Sequence, residues 1–490
     1  MEEDDTGTAI RRDRFSGGPA RSFLSSMADD ERIFAADLAV DRAHVVMLAE
    51  QGIIPDATAG EIFEALAAVE QAGYDALPAG EDVHEAIETA VIDHVGEDGG
   101  RMHTARSRND EVATCIRYRL REDLLAVAAE TLTLREQLLE TARTEADTVM
   151  PGLTHLQPAQ PITVGHWALS YVGALARDTE RVLDAYGRVN RSPLGGAAFA
   201  GTPYPIDRDR TAALLGFDGT VDNAMDAAAG RDVVVEAVAT LTTQATTLSG
   251  MAADMILYAH RGWLELDDQF ASTSSIMPQK KNPDTMELVR ASAGDAAASL
   301  TGIVTTVKGL PRAYNRDLQG ATPHAWTAVD AVAEATAVTA GAIETANWDG
   351  PALKSAATEG FSTATGIADQ LAMAGIPFRQ AHELVATVAE RVATEPSAEV
   401  VMDALETAAA ELDIDGIDNA LETEGLQTLL DPLGNVESRD SAGGPAPDEI
   451  NAQVDRAQEH LDRHRAAIAD RRTDLAEAAE TLDHEVAQYA

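Results

Sequence analysis

Lysine is nearly missing from this 490-residue chain: only Lys280, Lys281, Lys308 and Lys354 occur, and every other basic residue is Arg. With 82 acidic against 37 basic residues, the formal net charge is −45. A field of that sign repels nucleic acid and anionic membrane surfaces, so neither is an expected partner. The acids are spread along the whole sequence rather than gathered in a tail. Such a composition suits concentrated salt, where screening over about 3 Å at 1 M tames self-repulsion. It also makes the few lysines informative. Where a chain otherwise uses Arg, a retained ammonium does something a guanidinium cannot.

Cysteine is almost absent too. Cys115 stands alone, which leaves no internal disulfide and no thiolate cluster for zinc. The opening MEEDDTGTAI is acidic and lacks the apolar stretch of a signal peptide. No apolar run reaches the roughly 18 residues that would span a bilayer. A cytoplasmic location is expected. Proline is missing between Ile206 and Met277, and strand-like alternation is scarce. What fills the space is helical patterning. Ile116, Leu120, Leu124, Val127, Leu134 and Leu138 recur at helical spacing within residues 116–150. Residues 231–262 read as one helix about 48 Å long at 1.5 Å per residue, apolar around much of its circumference. Such a helix must be surrounded by other helices. Residues 283–308 and 325–348 continue the pattern.

Glycine and proline collect in the segments 151–161, 192–207 and 271–283, together with Thr, His, Gln, Ser, Lys and Asn. Polar loops at the ends of long rigid helices are good places for a site. The segment Ser274–Asp284, SSIMPQKKNPD, carries two hydroxyls, two ammonium groups and an amide, bent by Pro278 and Pro283. Ammonium charge and backbone N–H groups can make a serine hydroxyl competent as a base. The same charge would bind a carboxylate and stabilise the dianion formed when a proton leaves the adjacent carbon. No dinucleotide fingerprint, phosphate loop, zinc-protease motif, EF-hand loop or nucleophile elbow occurs, so neither a metal nor an organic cofactor is expected.

This string resembles the signature of the fumarase/aspartase superfamily, and its QKKNPD ending looks like the argininosuccinate lyase branch. Further stretches are similar in family order: RFSGG (14–18), EDVHEAIE (81–88), HTARSRNDEVAT (103–114), THLQPAQP (154–161), GTPYPIDR (201–208), RDVVVE (231–236), YNRDLQ (314–319) and GIPFRQAHE (375–383). The resemblance implies an all-α protein of three mainly helical domains: 1–106, a central long-helix bundle at 107–357, and 358–490. It implies a homotetramer whose active sites draw segments from three chains, and β-elimination of argininosuccinate to arginine and fumarate. Roles follow on matching positions. Ser274 aligns with the base, Lys280 and Asn282 with residues that hold the carboxylate and stabilise the carbanion, and His155 with an acid–base histidine paired to Glu287. Ser26, Arg106, Arg108, Asn109, Thr154, Gln157, Tyr314 and Gln319 align with substrate contacts. Asp82 and His84 line the cleft on this reading, although Asp82 equally suits a helix cap. The chain departs from the family in four places: Ala105 and Thr273 replace Gly, Glu111 replaces Gln, and Thr322 stands where a substrate-contacting lysine is usual. His324 is the nearest replacement donor, unless it merely starts the next helix. Two alternatives stay open: another lyase of the superfamily, acting on adenylosuccinate, aspartate or malate, and a catalytically silent protein like the lens crystallins.

Overall fold

Ser107 begins the longest element of the central bundle by accepting the Asn109 N–H, while the Asp110 carboxylate accepts the N–H of Ser107, a reciprocal cap. Similar local signals set the other helices. The computed structural model describes residues 19–392 and 396–489, so the RFSGG segment lies outside the described residues. In the first third, α1 (Phe34–Glu50), α2 (Asp56–Ala72) and α3 (Val83–Val95) precede α4 (Arg108–Thr144). A hairpin of β1 (Val149–Thr154) and β2 (Gln157–Thr163) leads into α5 (Val164–Val189), and α6 (Asp232–Arg261) follows. Then come β3 (Leu264–Glu265), β4 (Ser272–Thr273), β5 (Lys281–Asn282), α7 (Asp284–Val307), α8 (Thr322–Glu344) and β6 (Asn347–Trp348). The last third holds α9 (Gly350–Thr358), α10 (Ala364–Met373), α11 (Phe378–Ala389), α12 (Ala398–Leu412), α13 (Thr423–Leu430), α14 (Pro432–Glu437) and α15 (Pro447–Ala487).

The long helices expected from periodicity are present, and α6 is one uninterrupted helix of 30 residues, about 45 Å long. It stops at Gly262, whose φ of 72° is the left-handed cap that glycine adopts without strain. Helices α4 to α8 lie side by side around one apolar core. Two sets of contacts orient them. Arg117 of α4 donates to the carbonyl of Arg188 near the end of α5, and Arg188 pairs with Glu236 near the start of α6. At the other end, the Trp167 ring of α5 lies 5.8 Å from Tyr258 of α6 and 5.2 Å from Trp348 of β6. The start of α4, the end of α5 and the start of α6 therefore share one end of the bundle. The β1–β2 hairpin and the segment after α6 lie at the other.

Two findings differ from the sequence reading. Segment 151–161, read as a loop because of its prolines, is mostly hairpin. Pro151 pairs with Pro161 and Leu153 with Pro158, and a two-stranded ribbon tolerates this because each strand has a free edge for a residue lacking N–H. The unit expected at 358–490 is split. Residues 361–429 build a second core of their own, whereas Ile450, Val454, Leu461, Ile468 and Leu482 of α15 return to the first. Apolar side chains of residues 33–102 also belong to that first core, so no separate core precedes α4.

Candidate active site

At the hairpin end, the ladder Ser272–Asn282 and Thr273–Lys281 closes the signature segment into a loop, tightened by the Ser274 N–H donating to the Lys280 carbonyl. Inside it the Ser274 Oγ accepts two backbone N–H groups, from Ile276 at 3.3 Å and Met277 at 3.1 Å. Two such donors lower the cost of negative charge on that oxygen. The adjacent lysines differ. Lys281 is held by Asp268 at 2.8 Å and Glu265 at 3.3 Å, whereas exposed Lys280 makes no ion pair among the described residues. Lys280, Asn282 and Glu287 line one cleft with His260, a residue the sequence reading passed over.

The tip of the β1–β2 hairpin presents Thr154, His155, Leu156 and Gln157 to solvent. His155 (φ 56°) and Leu156 (φ 59°) both occupy the left-handed region, as a two-residue turn of mirror-image type requires. Neither residue is a glycine, so the turn is held against local preference, a cost of order 1 kcal/mol or more per residue. No ion pair joins His155 to Glu287 within the chain among the described residues.

At the opposite end, Ser26, Asp29, Asp30, Asp82, Tyr314 and Gln319 face one narrow cleft. Ser26 donates to Asp30 at 2.7 Å, and the Gln319 amide donates to the Leu24 carbonyl. Asp82 serves both expected roles: it caps α3 by accepting the Glu85 N–H and pairs with Arg108 at 2.8 Å. Asn109 donates to the carbonyl of Ala198, and Asp110 accepts the N–H groups of Gly195 and Ala197. The RSRND run thus ties the 192–207 segment to the start of α4.

Arg106 does not sit where a substrate contact would. Its guanidinium is buried, 2.6 Å from Asp41 and 3.0 Å from Glu111. Burial raises the Asp41 and Glu111 carboxyls, and Arg106 offsets this only in part. His84 joins the same network through Asp37 at 2.8 Å. Burial pulls its imidazole down, but Asp37 and then Glu111 outweigh that and lift it to about 10. Asp37, His84 and Cys115 are a donor set of metal-ligating type. Arg106 and a protonated His84 already place two cations against these acids, so the cluster is an ion network of the chain's own groups. Nor does His324 enter the cleft. It lies in the first turn of α8 with its ring against Gly302 of α7, while Thr322 and Pro323 line the wall.

The chain's relatives can be set beside this geometry. The lyase family profile matches residues 21–297, and the argininosuccinate lyase C-terminal profile matches residues 361–437. The argininosuccinate lyase of Haloarcula marismortui is 60% identical over 99% of this chain and 97% of that protein. The chain belongs to the argininosuccinate lyase family. Another family member, from Halobacterium salinarum, is 61% identical over 94% of each chain. Both come from halophilic archaea, in keeping with the lysine-poor, acidic composition. Among solved structures, EDDS lyase in complex with formate is 33% identical, with a TM-score of 0.84 over 96% of each chain. Class II fumarase from Schistosoma mansoni, 15% identical with a TM-score of 0.71 over 85% of this chain and 94% of that one, shares the fold. Among the described residues no helix is long and apolar enough to cross a membrane.

Proposed function

We propose that the protein cleaves argininosuccinate to L-arginine and fumarate by β-elimination, with Ser274 as the base. The observation that carries this is the Ser274 Oγ, which accepts two N–H groups within a loop that also presents the unpaired Lys280 ammonium. Ser274 takes the proton from the carbon next to a carboxylate. Lys280 and Asn282 hold that carboxylate and the charge that builds on it. The C–N bond to the guanidino group then breaks, and a proton reaches the departing nitrogen. His155, paired with Glu287 of another copy, serves this proton traffic.

The site is shared between chains on this reading, because α6 alone separates the Ser274 end from the cleft of Ser26, Tyr314 and Gln319 by about 45 Å. A substrate touching both sets needs more than one copy. Helix α7 supports such assembly: of its 24 residues only Met286, Val289, Ala296, Ser299 and Ile303 are buried, and Leu288 is 73% exposed. A homotetramer in the cytoplasm, serving arginine biosynthesis, is the arrangement we infer. The test is fumarate release from argininosuccinate, followed by ultraviolet absorbance in low and in molar KCl. Turnover at molar salt that falls away at low salt is expected. No fumarate at any salt concentration would reject the assignment.

A further inference from the structure

Arg231 sits at the start of α6 with its guanidinium buried, 6% of the residue being exposed. It donates only to the carbonyls of Ala228 and Gly230, at 3.3 and 3.0 Å, and its Nε and second terminal nitrogen have no acceptor. No carboxylate among the described residues pairs with it. The neighbouring charge is Arg117, of the same sign. Burial first, and Arg117 second, lower it to about 10, so it still carries its charge at neutral pH. Two other arginines are buried without an ion pair, but each has compensation. Arg121 lies 4.2 Å from the Tyr118 ring and 4.5 Å from the Phe217 ring. Arg135 hydrogen-bonds His464 and Thr179 and feels Glu180. Arg231 has neither ring nor acid.

A buried cation left unpaired costs several kcal/mol unless an anion arrives. The sign is also wrong for its place, because a helix N-terminus repels a cation and attracts an anion. Arg231 forms part of the wall between two clefts. The one on the far side already holds Asp226, Asp232 and Glu236, which repel an incoming anion. On the near side lie Ser26, Tyr314, Gln319 and Thr322, with Asp29, Asp30 and Asp82. There Arg316, the other cation of the wall, is already paired with Glu81.

We propose that Arg231 receives the α-carboxylate at the arginine end of the substrate, while the cleft's aspartates face the adjacent ammonium. This rests on the function proposed above and adds which end of the substrate this cleft takes. An acidic rim over one unpaired cation suits a zwitterionic amino-acid head better than the two carboxylates of a succinyl group. It also supplies a positive charge in a cleft where Thr322 replaces the family's lysine and His324 turns away.

The test uses the intact protein at molar salt, with L-arginine and agmatine, its decarboxylated analogue, as probes by calorimetry. Wild type should bind L-arginine roughly ten- to a hundredfold more tightly than agmatine, the worth of one charge-assisted contact. Arg231→Gln should bring that ratio close to one, with fumarate affinity unchanged, and Arg231→Lys should restore part of it. Equal binding of the two probes by wild type would overturn the proposal even if fumarate release is normal. So would a folded Arg231→Gln that keeps the preference. Should that variant fail to fold, the wild-type ratio and Arg231→Lys still decide. Absence of turnover with the preference intact would count against the lyase assignment instead.

Discussion

Replacing Arg106 by Gln should cost the fold about 3–5 kcal/mol near neutral pH, the range for breaking a buried pair from one side. The upper half is expected, because one guanidinium serves two carboxylates, Asp41 and Glu111, each about 1% exposed. Both are raised already in the presence of Arg106, Asp41 to about 7, and its loss raises them further. A carboxyl whose pKa is higher folded than unfolded favours the fold below the unfolded value, and that advantage is lost as pH rises through the folded value. The deficit of Arg106→Gln should therefore be largest at alkaline pH and shrink between about pH 7 and 5 as the acids take up protons. Urea unfolding at molar KCl, followed by tryptophan fluorescence across that range, measures it. Adding Glu111→Gln, the residue usual in the family, should recover part of the loss by removing one buried charge. A deficit below about 1 kcal/mol, the level of an exposed pair, or one that does not change with pH, would refute the reasoning.

Ser274→Ala should lower kcat at least about a thousandfold with KM little changed, and retention of a tenth of the activity would remove Ser274 as base. Lys280→Arg should inactivate as well, because a planar guanidinium does not reproduce a compact ammonium beside a developing dianion; normal turnover in that variant would reduce Lys280 to a generic charge. Mixed tetramers refolded from inactive Ser274→Ala and His155→Asn chains should regain partial activity, and none in verified hybrids would argue against shared sites. Ala105→Gly should stabilise the protein by about 1 kcal/mol, since Ala105 holds a φ of 67° at the family's glycine position. An unchanged urea midpoint would show that the strain is relieved elsewhere.

Periodicity made the bundle legible because its helices are long and nearly free of proline. Helices α4, α6, α7 and α8 begin and end within a few residues of where the apolar spacing put them, apart from the proline- and strand-rich segment after Thr144. The hairpin at Thr154 was hidden because prolines argue against sheet, a rule that weakens in a ribbon with two edges. The return of α15 to the first core follows from long-range packing, and nothing in its own sequence announces it. At the site, residue identities carried the resemblance, but direction did not. RSRND does not reveal that Arg106 points inward while Arg108 reaches Asp82. Arg231 left one trace, a cation placed at the positive end of a long helix.

That return of α15 bears on how the protein is made. The Phe63 ring of α2 lies 5.6 Å from that of Tyr489, and the Tyr489 carbonyl sits where a side chain on Gly60 would stand. Glu485 also shares Arg210 with Glu50 of α1. At roughly 5–20 residues per second, a ribosome leaves α1 and α2 waiting some tens of seconds for these partners. Through that interval the nascent chain carries an open apolar seam, while α10 to α13, with a core complete in itself, can close first.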